Sequence, residues 1–163
     1  MISPEIEQLM MNKKKTMVIP ADNVANVMKE NPLEHALLVL SQVGYSSIPV
    51  LDKDDRFVGL LTLTDVVSKM MELDEIDSDN LSQFTVADVM QTDIGTITEK
   101  SDLEDILHLL VDANYLPVLD EKGLFKGIIT RREILKAVNH TFHEFNKETK
   151  IEPKILLQVS ADQ

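Results

Sequence analysis

The chain carries nearly the same message twice. Asn31-Pro32-Leu33-Glu34-His35-Ala36-Leu37-Leu38-Val39-Leu40 is answered by Ser101-Asp102-Leu103-Glu104-Asp105-Ile106-Leu107-His108-Leu109-Leu110. Ile48-Pro49-Val50-Leu51-Asp52 with Phe57-Val58-Gly59-Leu60-Leu61-Thr62 returns as Leu116-Pro117-Val118-Leu119-Asp120 with Phe125-Lys126-Gly127-Ile128-Ile129-Thr130. A duplication on this scale implies two equivalent units whose faces meet about a local two-fold axis. It also places any ligand in the clefts where the two units join.

Within each unit the residue pattern predicts the same order of elements. Lys13-Lys14-Lys15-Thr16-Met17-Val18-Ile19-Pro20 and Gln83-Phe84-Thr85-Val86-Ala87-Asp88-Val89-Met90 read as a helical turn running into a strand. Val24-Ala25-Asn26-Val27 and Ile94-Gly95-Thr96-Ile97 stand 70 residues apart; their alternating apolar residues predict short half-buried strands. Leu33, Ala36, Leu37 and Leu40, and likewise Leu103, Ile106, Leu107 and Leu110, recur at helical spacing and give each unit one apolar stripe. Asn31 and Ser101 are the expected helix N-caps, with Glu34 and Glu104 three residues on.

From Pro49 to Pro117 the spacing falls to 68. The second unit has therefore lost two residues from its helix-to-strand turn, which reads Gly44-Tyr45-Ser46-Ser47 in the first unit and Asn114-Tyr115 in the second. A hairpin follows through Asp52-Lys53-Asp54-Asp55-Arg56 or Asp120-Glu121-Lys122-Gly123, then a helix from Thr64-Asp65 or Arg132-Glu133. Each unit is thus β-α-β-β-α and too small to be stable alone, so the pair is expected to share one core in an α+β fold. The repeats span 13–72 and 83–140, joined by the acidic stretch from Glu72 to Asn80. A C-terminal extension, 141–163, is expected to be mobile from Asn146, with Ile155-Leu156-Leu157 able to dock.

Charge narrows the function. Sixteen Lys and Arg against 28 Asp and Glu give a net charge of −12, a field that repels nucleic-acid backbones and anionic lipids. No apolar run is long enough to span a bilayer, and Met1-Ile2-Ser3-Pro4-Glu5-Ile6-Glu7 does not read as a secretory signal. The chain has no cysteine, so disulfides and thiolate chemistry are excluded and a reducing cytoplasm is the expected location. A small phosphate ligand remains possible where a local basic niche overrides the global field.

The repeated sequence of strand, Leu-rich helix, Pro-Val-Leu-Asp and Gly-apolar-apolar-Thr-x-x-acid resembles the CBS domain, over residues 13–140. The resemblance implies a tandem pair, or Bateman module: a pseudo-two-fold disc with two interfacial clefts, which binds adenosine nucleotides and dimerises. Leu33-Glu34-His35-Ala36-Leu37-Leu38-Val39-Leu40 and Thr130-Arg131-Arg132 further resemble the stand-alone cyclic-di-AMP-binding CBS proteins of Firmicutes. That likeness implies a non-catalytic sensor and a regulated partner such as the stringent-response (p)ppGpp synthetase.

It also implies where the ligand sits. The first cleft would combine Asn23, Val24 and Ala25 with Tyr45, Ser46, Ser47 and Ile48, and with Thr130, Arg131, Arg132 and Glu133 of the other repeat. The second would combine Asp93, Ile94 and Gly95 with Asn114, Tyr115 and Leu116, and with Thr62, Leu63, Thr64 and Asp65. Phosphate needs fixed cationic donors, and a guanidinium at a helix start supplies both charge and geometry. Only the first cleft has arginines. There an adenine is expected against Val24, Ala25 and Ile48, with hydroxyls from Thr130, Ser46 and Ser47. The second cleft is expected empty, or filled by a neutral nucleoside at most. Glu133 stands where the family usually has Asp, so its role in holding a ribose is open: it reaches a hydroxyl or pairs with an arginine.

Other readings are weaker. His140, His143 and Glu144 permit two metal ligands on one helix but offer no third, so no metal is expected. No nucleophile motif or Gly-rich phosphate loop is present, which disfavours an enzyme such as a nucleotide phosphohydrolase and leaves no cofactor to invoke. A sensor of AMP, ADP or ATP is the nearer alternative. Val67, Met70, Met71, Leu135 and Val138 give more apolar helix surface than one pair buries, so a homodimer is expected.

Overall fold

The computed structural model describes residues 1–12, 17–71 and 78–149. The Lys13-Lys14-Lys15 run, the linker from Glu72 to Asp77 and the Ile155-Leu156-Leu157 segment lie outside the described residues. The described chain runs α1 (Pro4–Met11), β1 (Ile19–Pro20), β2 (Val27–Met28), α2 (Leu33–Val43), β3 (Ser47–Leu51), β4 (Phe57–Thr62) and α3 (Leu63–Met71). It continues with β5 (Ile97–Thr98), α4 (Leu103–Leu110), β6 (Tyr115–Leu119), β7 (Phe125–Thr130) and α5 (Arg131–Thr149). Short 3₁₀ turns occupy Ala21–Asn23, Ser78–Gln83 and Val86–Asp88. None of the described helices is long and apolar enough to cross a membrane.

The β-α-β-β-α order holds in both repeats, and so does the register. In the first sheet β2 lies parallel to β3 with Val27 opposite Val50, and β3 antiparallel to β4 with Ser47 opposite Thr62. In the second, β5 pairs in parallel with β6 (Ile97 opposite Val118), and β6 antiparallel with β7 (Tyr115 opposite Thr130). Each Pro-Val-Leu-Asp strand ends in the same device: Asp52 accepts the N–H groups of Asp54 and Arg56 at 2.8 and 3.0 Å, and Asp120 those of Lys122 and Leu124 at 2.8 and 2.9 Å. These backbone donors, Arg56 and Leu124 foremost, hold both carboxyls below their ordinary pKa.

The expectation of one shared core is corrected to two. Leu33, Ala36, Leu40, Ile48, Val50, Leu61 and Val66 form one, and Ile97, Leu103, Ile106, Leu110, Leu116, Ile129 and Ile134 the other. The segments before each repeat are exchanged between them. Met10 and Met17 are buried in the second repeat's core, whereas Leu81 and Val86 complete the first. Strand pairing follows the same exchange: β1 adds to the edge of β7, and Gln91 bonds reciprocally with Leu60 of β4 at 2.8 and 2.9 Å. The two glycines that repeat in sequence permit these approaches. A Cβ on Gly59 would lie 2.6 Å from the Gln91 carbonyl oxygen, and one on Gly127, whose φ is +149°, 2.1 Å from that of Ile19.

A second exchange ties the hairpins together. The Phe57 N–H donates to the Gly123 carbonyl at 3.1 Å and the Phe125 N–H to that of Asp55 at 2.9 Å, with the two rings stacked at 6.3 Å. Donors and acceptors here are equivalent residues of the two repeats, so these bonds straddle the pseudo-two-fold axis.

Three expectations shift in detail. The strands read over Val24–Val27 and Ile94–Ile97 begin only at Val27 and Ile97, leaving Val24–Asn26 and Ile94–Thr96 as backbone outside the strands. Asn31 and Ser101 do not cap the helices; their side chains accept the Met28 and Thr98 N–H groups at 2.8 and 3.0 Å and close the preceding turns. The N-caps are Pro32 and Asp102, of which Asp102 accepts the Asp105 N–H at 2.8 Å. Finally, α5 continues past Asn146 to Thr149.

Candidate functional site

The clefts are built from the turns that join each first helix to its strand. In repeat one, α2 ends on Gly44 at φ 68°, whose N–H donates back to the Leu40 carbonyl at 3.1 Å. The second repeat lost that glycine with its two deleted residues, and α4 ends on Val111 in right-handed geometry. Its last carbonyls are satisfied from outside: Arg131 donates through Nε to Leu110 and through Nη2 to Val111, both at 3.1 Å. A cation is well placed at the negative end of a helix. In both repeats the first residue of the closing helix also holds the turn, Leu63 N–H to the Ser46 carbonyl at 2.8 Å and Arg131 N–H to that of Asn114 at 2.9 Å.

The first cleft encloses about 220 Å³. Val24, Ala25, Tyr45, Ser46, Ser47 and Thr130 all line it, joined by Ile19, Pro49, Asn114, Tyr115 and Ile128. No charged side chain stands in this wall. The other candidates are not among its lining residues. Asn23 is exposed on the 3₁₀ turn before Val24. The Ile48 side chain is fully buried in the first core, because alternation along β3 turns Ser47 and Pro49, not Ile48, toward the cleft.

The two arginines part company. Arg131 is held on the end of α4 as described. Arg132 stands exposed in the first turn of α5, two residues beyond Thr130, with no ion pair or hydrogen bond among the described residues. Glu133 donates its N–H to Thr130 Oγ1 at 3.1 Å and pairs with Lys136 at 3.0 Å, so its carboxylate meets a lysine and not an arginine.

The second cleft is larger, about 680 Å³. Thr62, Thr64, Asp65, Asp93, Ile94, Gly95, Asn114, Tyr115 and Leu116 line it as the pattern implied, together with Gln91, His108 and Asp112. Three carboxylates and no lysine or arginine face this space. Asp65 is already engaged, accepting the Thr62 hydroxyl at 2.6 Å, the Thr62 N–H at 3.1 Å and Gln91 Nε2 at 3.0 Å.

Tyr115 and Ser47 meet between the two spaces. The Ser47 hydroxyl donates to the Tyr115 phenol oxygen at 3.3 Å, and burial pushes that phenol's pKa up to about 12. Sequence reasoning gave Ser46 and Ser47 to one cleft and Asn114 and Tyr115 to the other; in the structure all four line both. It also missed the capping role of Arg131, for which the missing counterpart of Gly44 is the signal. His140 pairs with Glu144 at 2.8 Å, and no group of three potential metal ligands occurs among the described residues.

Comparison with known proteins agrees with this architecture. The CBS domain family model matches residues 10–72 and 86–140. The cyclic di-AMP receptor B of Bacillus subtilis (strain 168) is 36% identical over 147 residues, covering 90% of this chain and 100% of the relative. The crystal structure of CbpB from Streptococcus agalactiae superposes with a TM-score of 0.82 at 32% identity, over 94% of this chain and 96% of that one. CbpB of Listeria monocytogenes in complex with c-di-AMP gives a TM-score of 0.74 at 42% identity, over 82% of this chain and 99% of that one.

Proposed function

This chain belongs to the CBS-domain family, and on that footing we propose that it is a non-catalytic sensor that binds cyclic-di-AMP in the first cleft and regulates a partner protein. The observation that carries the reading is the pairing of an uncharged wall bearing hydroxyls with an exposed guanidinium, Arg132, two residues beyond Thr130 of that wall. The apolar wall of Ile19, Val24, Ala25, Pro49 and Ile128 suits a base and ribose in character, and Thr130, Ser46 and Ser47 offer hydroxyls. The phosphodiester is then left beside Arg132 and the N-terminal turn of α5, where the helix dipole adds to the attraction. Arg131 supports the site at one remove, by fixing the Asn114 turn.

The net charge of −12 does not prevent this. At physiological ionic strength exposed charges are screened within about 8 Å, so the nearest groups decide. The wall of the first cleft carries no charged side chain, whereas that of the second presents Asp65, Asp93 and Asp112. The Listeria relative is described in complex with c-di-AMP, which agrees with the ligand proposed here.

Two further features complete the proposal. Val67 and Leu135 occupy equivalent positions on α3 and α5 and are 41% and 61% exposed, with Leu63 and Met71 beside Val67. This apolar surface supports a homodimer, which light scattering measures as twice the chain mass. The regulated partner is taken from the family resemblance as the stringent-response (p)ppGpp synthetase, and a ligand-dependent change in affinity of about 1–3 kcal/mol is what such signalling needs. The cysteine-free sequence suits a cytoplasmic sensor.

Calorimetric titration with cyclic-di-AMP, AMP, ATP and cyclic-di-GMP tests the ligand. Tight binding of cyclic-di-AMP over the others is expected. Preference for AMP or ATP would make the chain an energy-charge sensor, and turnover of any of the four would make it an enzyme.

A further inference from the structure

Ser47 and Tyr115 occupy equivalent positions in the two repeats, 68 residues apart, and they bond to each other at 3.3 Å. Such a contact lies on the pseudo-two-fold axis. It is also the wall between the clefts, since both residues line both cavities. The first cleft, at about 220 Å³, is smaller than the roughly 300–1,000 Å³ usual for ligand sites. A base and ribose can seat there only if a wall gives way.

The walls are not equally free to move. The backbone is held alike throughout, Ile19 and Ile128 in the paired strands β1 and β7, Pro49 opposite Leu60 and Tyr115 opposite Thr130, so a side chain must yield. Ala25 has only a methyl group, with no rotamer that withdraws it. The Tyr115 ring has open space behind it, the second cleft of about 680 Å³, and one side-chain hydrogen bond, to Ser47. From these observations we infer that Tyr115 is a movable partition: a ligand entering the first cleft drives its ring toward the second, so that filling one cleft contracts the other. Tyr115 is then a positioning residue that makes the occupancies of the two clefts mutually opposed.

The inference rests on the first cleft being the cyclic-di-AMP site, and one experiment separates the two ideas. Amide ¹H–¹⁵N spectra are recorded while the full chain is titrated with cyclic-di-AMP. Ala25 and Ile128 line only the first cleft; Asp93 and Gly95 line only the second. In the unaltered chain both pairs are expected to shift together at one ligand per chain. Tyr115→Phe keeps the ring and is expected to preserve the response of Asp93 and Gly95, whereas Tyr115→Leu, which removes the ring yet suits a buried strand position, is expected to abolish it while Ala25 and Ile128 still shift. If Ala25 and Ile128 stay fixed while Asp93 and Gly95 move, the ligand site itself is misplaced and the inference falls with it. If Ala25 and Ile128 shift and Asp93 and Gly95 do not, only the partition is overturned. A response of the second cleft that persists in Tyr115→Leu overturns it as well. Should Tyr115→Leu fail to fold, Tyr115→Met provides the same ring deletion on a flexible side chain.

Discussion

Two clefts related by the same pseudo-two-fold axis have been given opposite chemistry. The first is small and uncharged along its wall, with the exposed Arg132 two residues beyond its Thr130; the second is three times as large and faces its solvent with Asp65, Asp93 and Asp112. The position that carries Arg132 in one repeat carries Thr64 in the other. Duplication therefore preserved the frame, while a few substitutions gave the two cleft walls different charge. The comparison teaches that symmetry predicts where a ligand can sit, while local charge decides what can sit there.

The largest effects should come from breaking the frame that makes the clefts comparable. Gly127→Ala brings a Cβ against the Ile19 backbone at a φ of +149°, and Gly59→Ala brings one against Gln91. Both are expected to lose stability in urea unfolding, by about 1–3 kcal/mol as for overpacking. Gly127 should cost more, because its three nearest atoms are all backbone, whereas part of the Gly59 contact is the flexible Met90 side chain. Equal costs would mean that the two exchanged edges are energetically alike.

Next come the two ways of ending a helix. Gly44→Ala places a β-carbon in left-handed backbone at φ 68° and should cost about 1–2 kcal/mol. Arg131→Met removes both guanidinium bonds to Leu110 and Val111 and should cost about 1 kcal/mol. The Arg131 loss should shrink with added salt where the Gly44 loss does not, because only the first is electrostatic. Denaturant melts at low and high salt measure the difference.

A sharper comparison is a transplant. Thr64→Arg gives the second cleft the guanidinium that the first has. Three carboxylates remain around it, so only a weak second event is expected in a calorimetric titration with cyclic-di-AMP, worth less than about 1 kcal/mol of preference, in keeping with exposed ion pairs. Affinity equal to that of the first cleft would show that the carboxylates are irrelevant.

The smallest effect is shared by both repeats. Asp52 and Asp120 have lowered pKa values, held chiefly by backbone donors. Their stabilisation is fully present above the unfolded carboxyl value of about 3.9 and fades as pH falls through the depressed folded values. The double variant Asp52→Asn with Asp120→Asn should lower stability at neutral pH, where both carboxylates are ionised, and flatten the acid limb, so that the two stability–pH curves converge as pH falls through the folded values. An unchanged acid limb would remove these turns from the account.

Much of this frame was legible from residues alone. The equal stripes of Leu33 and Leu103, the repeated hairpins and the lost turn residues followed from periodicity and spacing, because core burial and turn chemistry are local and repeat faithfully. The helix caps were read one residue early because Asn31 and Ser101 are equally good at closing the turns before them. The exchanged segments were invisible: Met17 and Val86 carry no mark of which sheet they join, since that is decided by long-range packing. The site divided along the same line. Val24, Ala25 and Thr130 face the cleft as their strands and turns require, but no pattern tells that Arg131 reaches back to α4 while Arg132 is left exposed.

The claim that the first cleft holds the phosphodiester beside Arg132 is tested most directly by calorimetry on Arg132→Met. A loss of at least about 1.5 kcal/mol in cyclic-di-AMP affinity, roughly tenfold, with unfolding stability unchanged, is the result this account predicts for a charge-assisted contact. Affinity equal to that of the unaltered chain would contradict it.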